Sequence, residues 1–99
     1  MPTQEQVIDQ LRQVEDPELG MDIVELGLFY DAEIEGSHVK VTYTLTSMGC
    51  PVGPMIEEDI QRVVGELPDV DVVDAELTFE PPWSPERMSE DAKFILGFG

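Results

Sequence analysis

The stretch VKVTYTLTSMGCPVGPMIEEDI, residues 39–60, contains a predicted strand, a loop with the single cysteine of the chain, and the start of a predicted helix. Apolar residues occupy every second position from Val39 to Leu45, which is the period of a half-buried strand. Apolar residues from Val52 to Leu67 then recur at helical spacing, with acidic residues between them. The sequence therefore predicts that Cys50 lies in a strand-to-helix connection, near the N-terminus of the helix.

The flanking sequence completes an α+β pattern. The predicted elements are a helix over 3–14, strands over 26–34, 39–46 and 73–79, a helix over 52–67, and a last short helix capped by Ser84. The first two strands are expected to form an antiparallel hairpin, with His38 in its turn. The order α-β-β-α-β-α predicts a single small domain over residues 1–99, with a three-stranded sheet and helices on one face.

The composition excludes several classes of function. The chain has 99 residues, and its 22 acidic against five basic residues give a net charge of -17, so nucleic acid is not expected as a partner. The N-terminal residues show no signal peptide, and no apolar run is long enough to span a membrane. A single cysteine cannot form an intramolecular disulfide, and a cytoplasmic location is the expectation.

Two interpretations of Cys50 remain open from local chemistry. A thiol near a helix N-terminus can have a lowered pKa, because the helix dipole and the free N–H groups favour its anion. Free cysteine is also among the most buried residue types, so Cys50 can be a core residue. One thiolate falls short of the roughly four ligands of zinc and iron–sulfur sites. A cluster would therefore need a second chain, a carboxylate or hydroxyl, or a small thiol.

Two further segments have candidate functional residues. The segment DPELGMDIVELGL, residues 16–28, contains four acids, Asp16, Glu18, Asp22 and Glu25, among apolar residues. Carboxylates in that setting are candidates for perturbed pKa values or for metal ligation. Alternatively, Asp16 and Glu18 accept hydrogen bonds from turn and cap N–H groups. The segment EPPWSPERMSEDAKF, residues 80–94, contains Trp83 and Arg87. Arg87 either neutralises the acidic turn or holds a carboxylate in a fork-like pair. The alternative is a surface helix whose tryptophan covers the end of the core.

Together, the motifs DPELGMDIVELGL, LTSMGCP and LTFEPPWSPERMSEDAK resemble the SufT/PaaD-like family, also called the metal–sulfur cluster biosynthetic domain. The resemblance covers nearly the whole chain and implies an α+β fold of the iron–sulfur cluster assembly type. The site that it implies consists of Cys50, the possible cluster ligand, with Asp16, Glu18, Thr46 and Ser47. Trp83 and Arg87 are expected to support that site. The chain departs from the family at Gly53 and Pro54, where relatives tend to show alanine and glycine.

The function expected from this resemblance is that of an iron–sulfur cluster maturation factor, not an enzyme. Its partners would be the assembly machinery and client proteins, with a transient or bridging cluster and a monomer or weak homodimer. The alternative is an accessory subunit of an aromatic-ring (phenylacetyl-CoA) oxygenase system, whose members carry a cysteine-rich tail that this sequence lacks. A thiol enzyme is less favoured, because neither a neighbouring base nor a resolving cysteine accompanies Cys50.

Overall fold

The computed structural model describes residues 2–17, 20–45, 53–80 and 82–97. Its elements in chain order are α1 (Gln4–Leu11), β1 (Glu15–Asp16), β2 (Met21–Asp22), β3 (Phe29–Glu35), β4 (His38–Tyr43), α2 (Gly53–Gly65), β5 (Val72–Leu77), a 3₁₀ turn (Pro85–Arg87) and α3 (Glu90–Leu96). The predicted α+β order of the main elements is confirmed. The short antiparallel hairpin of β1 and β2 was not predicted.

The main sheet has the strand order β3-β4-β5. Strands β3 and β4 form the predicted antiparallel hairpin, and β5 returns through α2 to pair with β4 in parallel. The prediction that His38 lies in the hairpin turn was wrong. This residue begins β4 rather than lying in the turn, and its Nε2 lies 2.6 Å from Oδ2 of Asp74 on the neighbouring strand.

One face of the sheet forms the core with the helices, as predicted. Helix α1 packs against β3 and α2, and α2 packs against β5. The buried side chains include Val39, Val41 and Tyr43 of β4, Val7 and Leu11 of α1, and Ile56, Ile60, Val63 and Val64 of α2. The opposite face presents charged residues to solvent, such as Lys40, whose Nζ lies 2.9 Å from Oε2 of Glu76. This sidedness explains the alternation along β4.

Strand β3 begins at Phe29, and the predicted start at Leu26 was wrong. Residues 23–27 form turns instead, in which the Leu26 N–H donates to the Asp22 carbonyl at 3.1 Å. Gly27 has a φ of +74°, which is incompatible with a strand and readily adopted by glycine. Leu26 and Leu28 are both fully buried, so their spacing imitated a strand although the first of them lies in a turn.

Both terminal helices differ from the prediction at one end. Thr3 caps α1 in a reciprocal capping box with Gln6, as predicted, but the helix ends at Leu11 and not at Val14. Ser84 precedes only the 3₁₀ turn, and its side chain makes no capping hydrogen bond. The cap of the last helix is Ser89, whose Oγ accepts from the Ala92 N–H at 3.1 Å.

Helix α2 begins at Gly53, so Pro54 lies in its first turn. The N–H groups of a first turn have no intrahelical acceptor, and a proline there removes no helical hydrogen bond. The departure from the family pattern at Pro54 is therefore compatible with a helix that starts at this position.

Candidate functional site

Of the five residues predicted to form the site, Asp16 lies within the described residues. Glu18, Thr46, Ser47 and Cys50 lie outside them. The composite site of Asp16 and Cys50 therefore stays a prediction. The structure does describe the residues from which the cysteine loop starts and to which it returns.

The two described residues that flank the segment 46–52 lie against each other. Leu45, which follows β4, and Gly53, which begins α2, are both buried. A Cβ atom added at Gly53 would lie 3.0 Å from Cδ1 of Leu45. A side chain at position 53 would force Leu45 to move, so glycine allows the start of α2 to pack closely against the end of β4.

Three backbone hydrogen bonds link the acidic segment to the end of β4. The Thr44 N–H donates to the Leu28 carbonyl at 2.8 Å, and the Leu28 N–H donates to the Ile23 carbonyl at 2.9 Å. The Ile23 N–H in turn donates to the Val14 carbonyl at 2.9 Å. The strand that leads into the cysteine loop is thus connected laterally to the chain two residues before Asp16.

Asp16 is only 1% exposed, which is unusual for an aspartate. It belongs to β1, where it pairs with Met21. Asp22 caps the following turn, since its Oδ1 accepts from the N–H groups of Val24 and Glu25, both at 2.9 Å. The turn-capping role considered for Asp16 and Glu18 stays a prediction, because Glu18 lies outside the described residues.

Glu25 is the acid of this segment with the most side-chain partners that the structure defines. Its carboxylate accepts from the Ser89 hydroxyl and lies 3.1 Å from an Nη of Arg12. The Ser89 hydrogen bond is the main cause that lowers the pKa of Glu25, and the Arg12 hydrogen bond and charge lower it further against the opposing effect of burial. Glu25 is therefore an ionised residue that joins α1 and α3 to the acidic segment.

The segment from Trp83 to Met88 packs against the turn that precedes β3. The Trp83 Nε1–H donates to the Leu26 carbonyl at 2.7 Å, and Trp83 packs against the core, as one of its two interpretations predicted. The Arg87 guanidinium lies over the Tyr30 ring, 4.9 Å from its centroid. Arg12 forms an ion pair with Glu25 of the acidic segment. A pairing of Arg87 with the acidic turn stays a prediction, because Glu18 of that turn lies outside the described residues.

Sequence reasoning missed three residues of this arrangement, namely Arg12, Ser89 and Gly27. A signal for Ser89 was available, since it precedes Glu90 and Asp91 as a helix cap commonly does. Gly27 has its φ at +74°, and an added Cβ would lie 2.2 Å from the Arg87 carbonyl oxygen. Nothing in the spacing of Arg12 and Glu25 indicated their ion pair, because it arises from tertiary packing.

The family model "Iron-sulfur cluster assembly protein" matches residues 4–77. The chain belongs to this family. It is 44% identical over 94 residues to the Fe-S protein maturation auxiliary factor YitW of Bacillus subtilis, covering 94% of this chain and 92% of that protein. It is 45% identical over 83 residues to the Fe-S protein maturation auxiliary factor SufT of Staphylococcus aureus, covering 83% of this chain and 94% of that protein.

A solved structure has the same fold. The crystal structure of a domain of unknown function, DUF59, from Bacillus anthracis superimposes with a TM-score of 0.89 at 41% identity. The match covers 96% of this chain and 92% of that one. The resemblance to the iron–sulfur assembly family is thereby confirmed, and so is the fold class. The names of the relatives do not support the oxygenase alternative.

The donor atoms available to this iron–sulfur assembly protein limit what it can hold alone. Its sequence supplies one thiolate, that of Cys50. Within residues 2–17, 20–45, 53–80 and 82–97, no group of three or more His, Cys, Asp and Glu side chains is placed to bind a metal ion. In the same residues, no helix has both the length and the apolar character that a membrane crossing requires.

Proposed function

We propose that this protein is a maturation factor that binds an iron–sulfur cluster transiently and helps to deliver it to client proteins. The observation that carries the proposal is the similarity, over most of the chain, to two proteins named as Fe-S protein maturation auxiliary factors. In this proposal the cluster is cargo, and the protein acts without turnover of a small substrate. The expected cytoplasmic location stays a prediction.

Cys50 is the proposed cluster ligand, with Asp16 beside it. The support from geometry is the hydrogen-bonded connection between the end of β4 and the acidic segment, together with the burial of Asp16. Delivery is a ligand exchange in which a client thiolate replaces the Cys50 thiolate on iron, and no electron is transferred. The remaining ligands come from a second chain or from a small thiol, since one thiolate does not complete the shell.

The test is anaerobic cluster reconstitution, followed by transfer to a purified client apoprotein. Wild-type protein is expected to develop cluster absorbance and a matching Mössbauer spectrum and then to activate the client. Cys50→Ala should lose both. Asp16→Asn should lower loading or transfer, whereas Asp9→Asn, an exposed acid on α1, serves as its charge-matched control. Undiminished loading and transfer by Cys50→Ala would contradict the proposal.

A further inference from the structure

The two edge strands of the main sheet differ in the hydrogen bonds that their outer backbone groups make. At the β3 edge, the Gln4 side chain of α1 donates from Nε2 to the Ala32 carbonyl at 2.9 Å. At the other edge, β5 pairs with β4 in parallel, and no other described strand or side chain hydrogen-bonds to its backbone between Val73 and Leu77. An unpaired edge is a template onto which another extended segment can add.

An apolar groove of about 250 Å³ adjoins this free edge, between the first turn of α2 and the end of β5. Its lining includes the apolar side chains of Tyr43, Leu45, Pro54, Leu77 and Phe79. Leu77 is 41% exposed although its neighbours are apolar. Nearby on α2, Met55 is 50% exposed. Exposed apolar residues gathered at an open groove indicate a binding surface.

The groove is acidic at its rim. Glu57 is the carboxyl in its lining. Burial, followed by the charge of Glu57, raises the pKa of Tyr43. Four of the five basic residues have partners elsewhere, namely Arg12, Lys40, Arg62 and Arg87. An occupant therefore gains from apolar side chains and from a positive charge that reaches Glu57.

We propose that the groove and the free edge of β5 receive an extended client segment that is apolar and has a lysine or arginine opposite Glu57. A second copy of this chain is the less favoured occupant, because each copy has a net charge of -17. The groove is lined by Leu45 and Gly53, which precede and follow residues 46–52 in the chain, so a client held there contacts the described residues that flank the segment containing Cys50. The inference rests on the proposed function, whose client it describes.

The test uses two synthetic peptides and amide chemical shifts of the ¹⁵N-labelled protein. One peptide alternates valine with lysine, and the other has glutamate in place of lysine. The lysine peptide is expected to shift the amides of residues 75–79, of Gly53 and of residues 55–57, and to slow hydrogen exchange along β5. The glutamate peptide should bind at least about tenfold more weakly, because it places like charges beside Glu57.

Matched variants separate the groove from general effects of charge and hydrophobicity. Glu57→Lys should weaken binding of the lysine peptide about fivefold or more, whereas Glu58→Lys, an exposed neighbour with the same change in net charge, should not. Leu77→Ser should weaken binding about tenfold, through lost apolar burial. Phe94→Ser is its control, because Phe94 is 84% exposed on α3 and away from the groove.

Three outcomes would overturn the inference: shifts centred on α3, equal effects of Glu57→Lys and Glu58→Lys, or concentration-dependent shifts of residues 75–79 without peptide, which would make a second copy the occupant. The proposed function fails separately. Cluster loading and transfer that persist when the peptide does not bind the groove contradict only the docking surface. Peptide binding in the groove by a protein that neither loads nor transfers a cluster contradicts only the maturation role.

Discussion

Replacing Ser89 by alanine tests how the C-terminal segment is held to the acidic segment. The Ser89 side chain caps α3 by accepting from the Ala92 N–H at 3.1 Å, and its hydroxyl donates to the Glu25 carboxylate. The backbone N–H of Ser89 also donates to the Glu25 carbonyl at 2.8 Å. Alanine keeps the backbone bond and removes both side-chain bonds.

The expected loss follows from those two bonds. Loss of a serine helix cap costs about 1 kcal/mol. A hydrogen bond to a charged acceptor is worth about 1.5 kcal/mol or more, but the Glu25 side chain is 28% exposed, so water replaces part of it and about 0.5–1 kcal/mol is lost. The free energy of unfolding should therefore fall by about 1.5–2 kcal/mol at neutral pH. In a domain of this size that corresponds to a decrease in Tm of roughly 6–16 °C.

The loss should depend on pH. The pKa of Glu25 is lowered in the folded protein, chiefly by Ser89, so this group stabilises the fold above its unfolded pKa of about 4.3. That contribution disappears as the pH falls through the lower, folded pKa. The difference between wild type and Ser89→Ala should thus be largest near neutral pH and shrink below about pH 4, where the capping contribution remains.

Urea unfolding of wild type and variant across this pH range measures both effects. Ser84→Ala is the matched control, because the Ser84 side chain makes no capping bond and its loss should cost less than about 0.5 kcal/mol. A double-mutant cycle with Glu25→Gln isolates the coupling between Ser89 and Glu25. Equal losses for the two serine variants, or a Ser89→Ala loss that does not change with pH, would refute the reasoning.

Three other predictions concern the turn before β3, the end of β4 and association. Gly27→Ala should lower the free energy of unfolding by more than about 2 kcal/mol, because the new Cβ would clash with the Arg87 carbonyl. Gly20→Ala, at a similar φ of +73° but with no atom near the new Cβ, should cost about 1 kcal/mol. Urea unfolding of the two variants measures both losses. Thr44→Val should raise the free energy of unfolding by up to about 1 kcal/mol, since the buried Thr44 hydroxyl finds no partner in the described part of the chain. A lower urea midpoint than that of the wild type would contradict this. The cluster-loaded protein should dimerise more strongly at moderate salt, because salt screens the repulsion between two chains of net charge -17. Sedimentation followed at cluster and protein wavelengths measures this. Cluster absorbance that sediments with the monomer would contradict it.

The elements that the sequence predicted well are those whose periodicity reflects a single buried face. The alternation from Val39 to Tyr43 identified β4 because one face of that strand meets the helices and the other meets solvent. The apolar stripe of α2 identified the helix for the same reason. In contrast, Leu26 lies in a turn and Leu28 directly precedes β3, and both side chains are buried. Their two-residue spacing therefore predicted a strand that begins three residues too early.

The candidate site was less accessible to sequence reasoning. Its residues were assigned through resemblance, and of these the structure describes Asp16. Asp16 is buried and Asp22 is only partly buried, although both are aspartates in the same acidic segment. Both residues lie in the β1–β2 hairpin, whose two-residue strands are too short to leave a periodic signal from which their burial could be predicted.

The C-terminal segment lies outside the residues matched by the family model, yet it contacts the chain that connects to the end of β4. Trp83 bonds the Leu26 carbonyl, and Ser89 bonds Glu25 on both its backbone and its side chain. The carbonyl of Leu28, two residues after Leu26, accepts from the Thr44 N–H. A shift of the turn at 23–27 would therefore move the end of β4, which precedes the segment containing Cys50. Residues 83–92 therefore help to fix the position of the acidic segment relative to β4, and their truncation should disturb the proposed site as well as the stability of the fold.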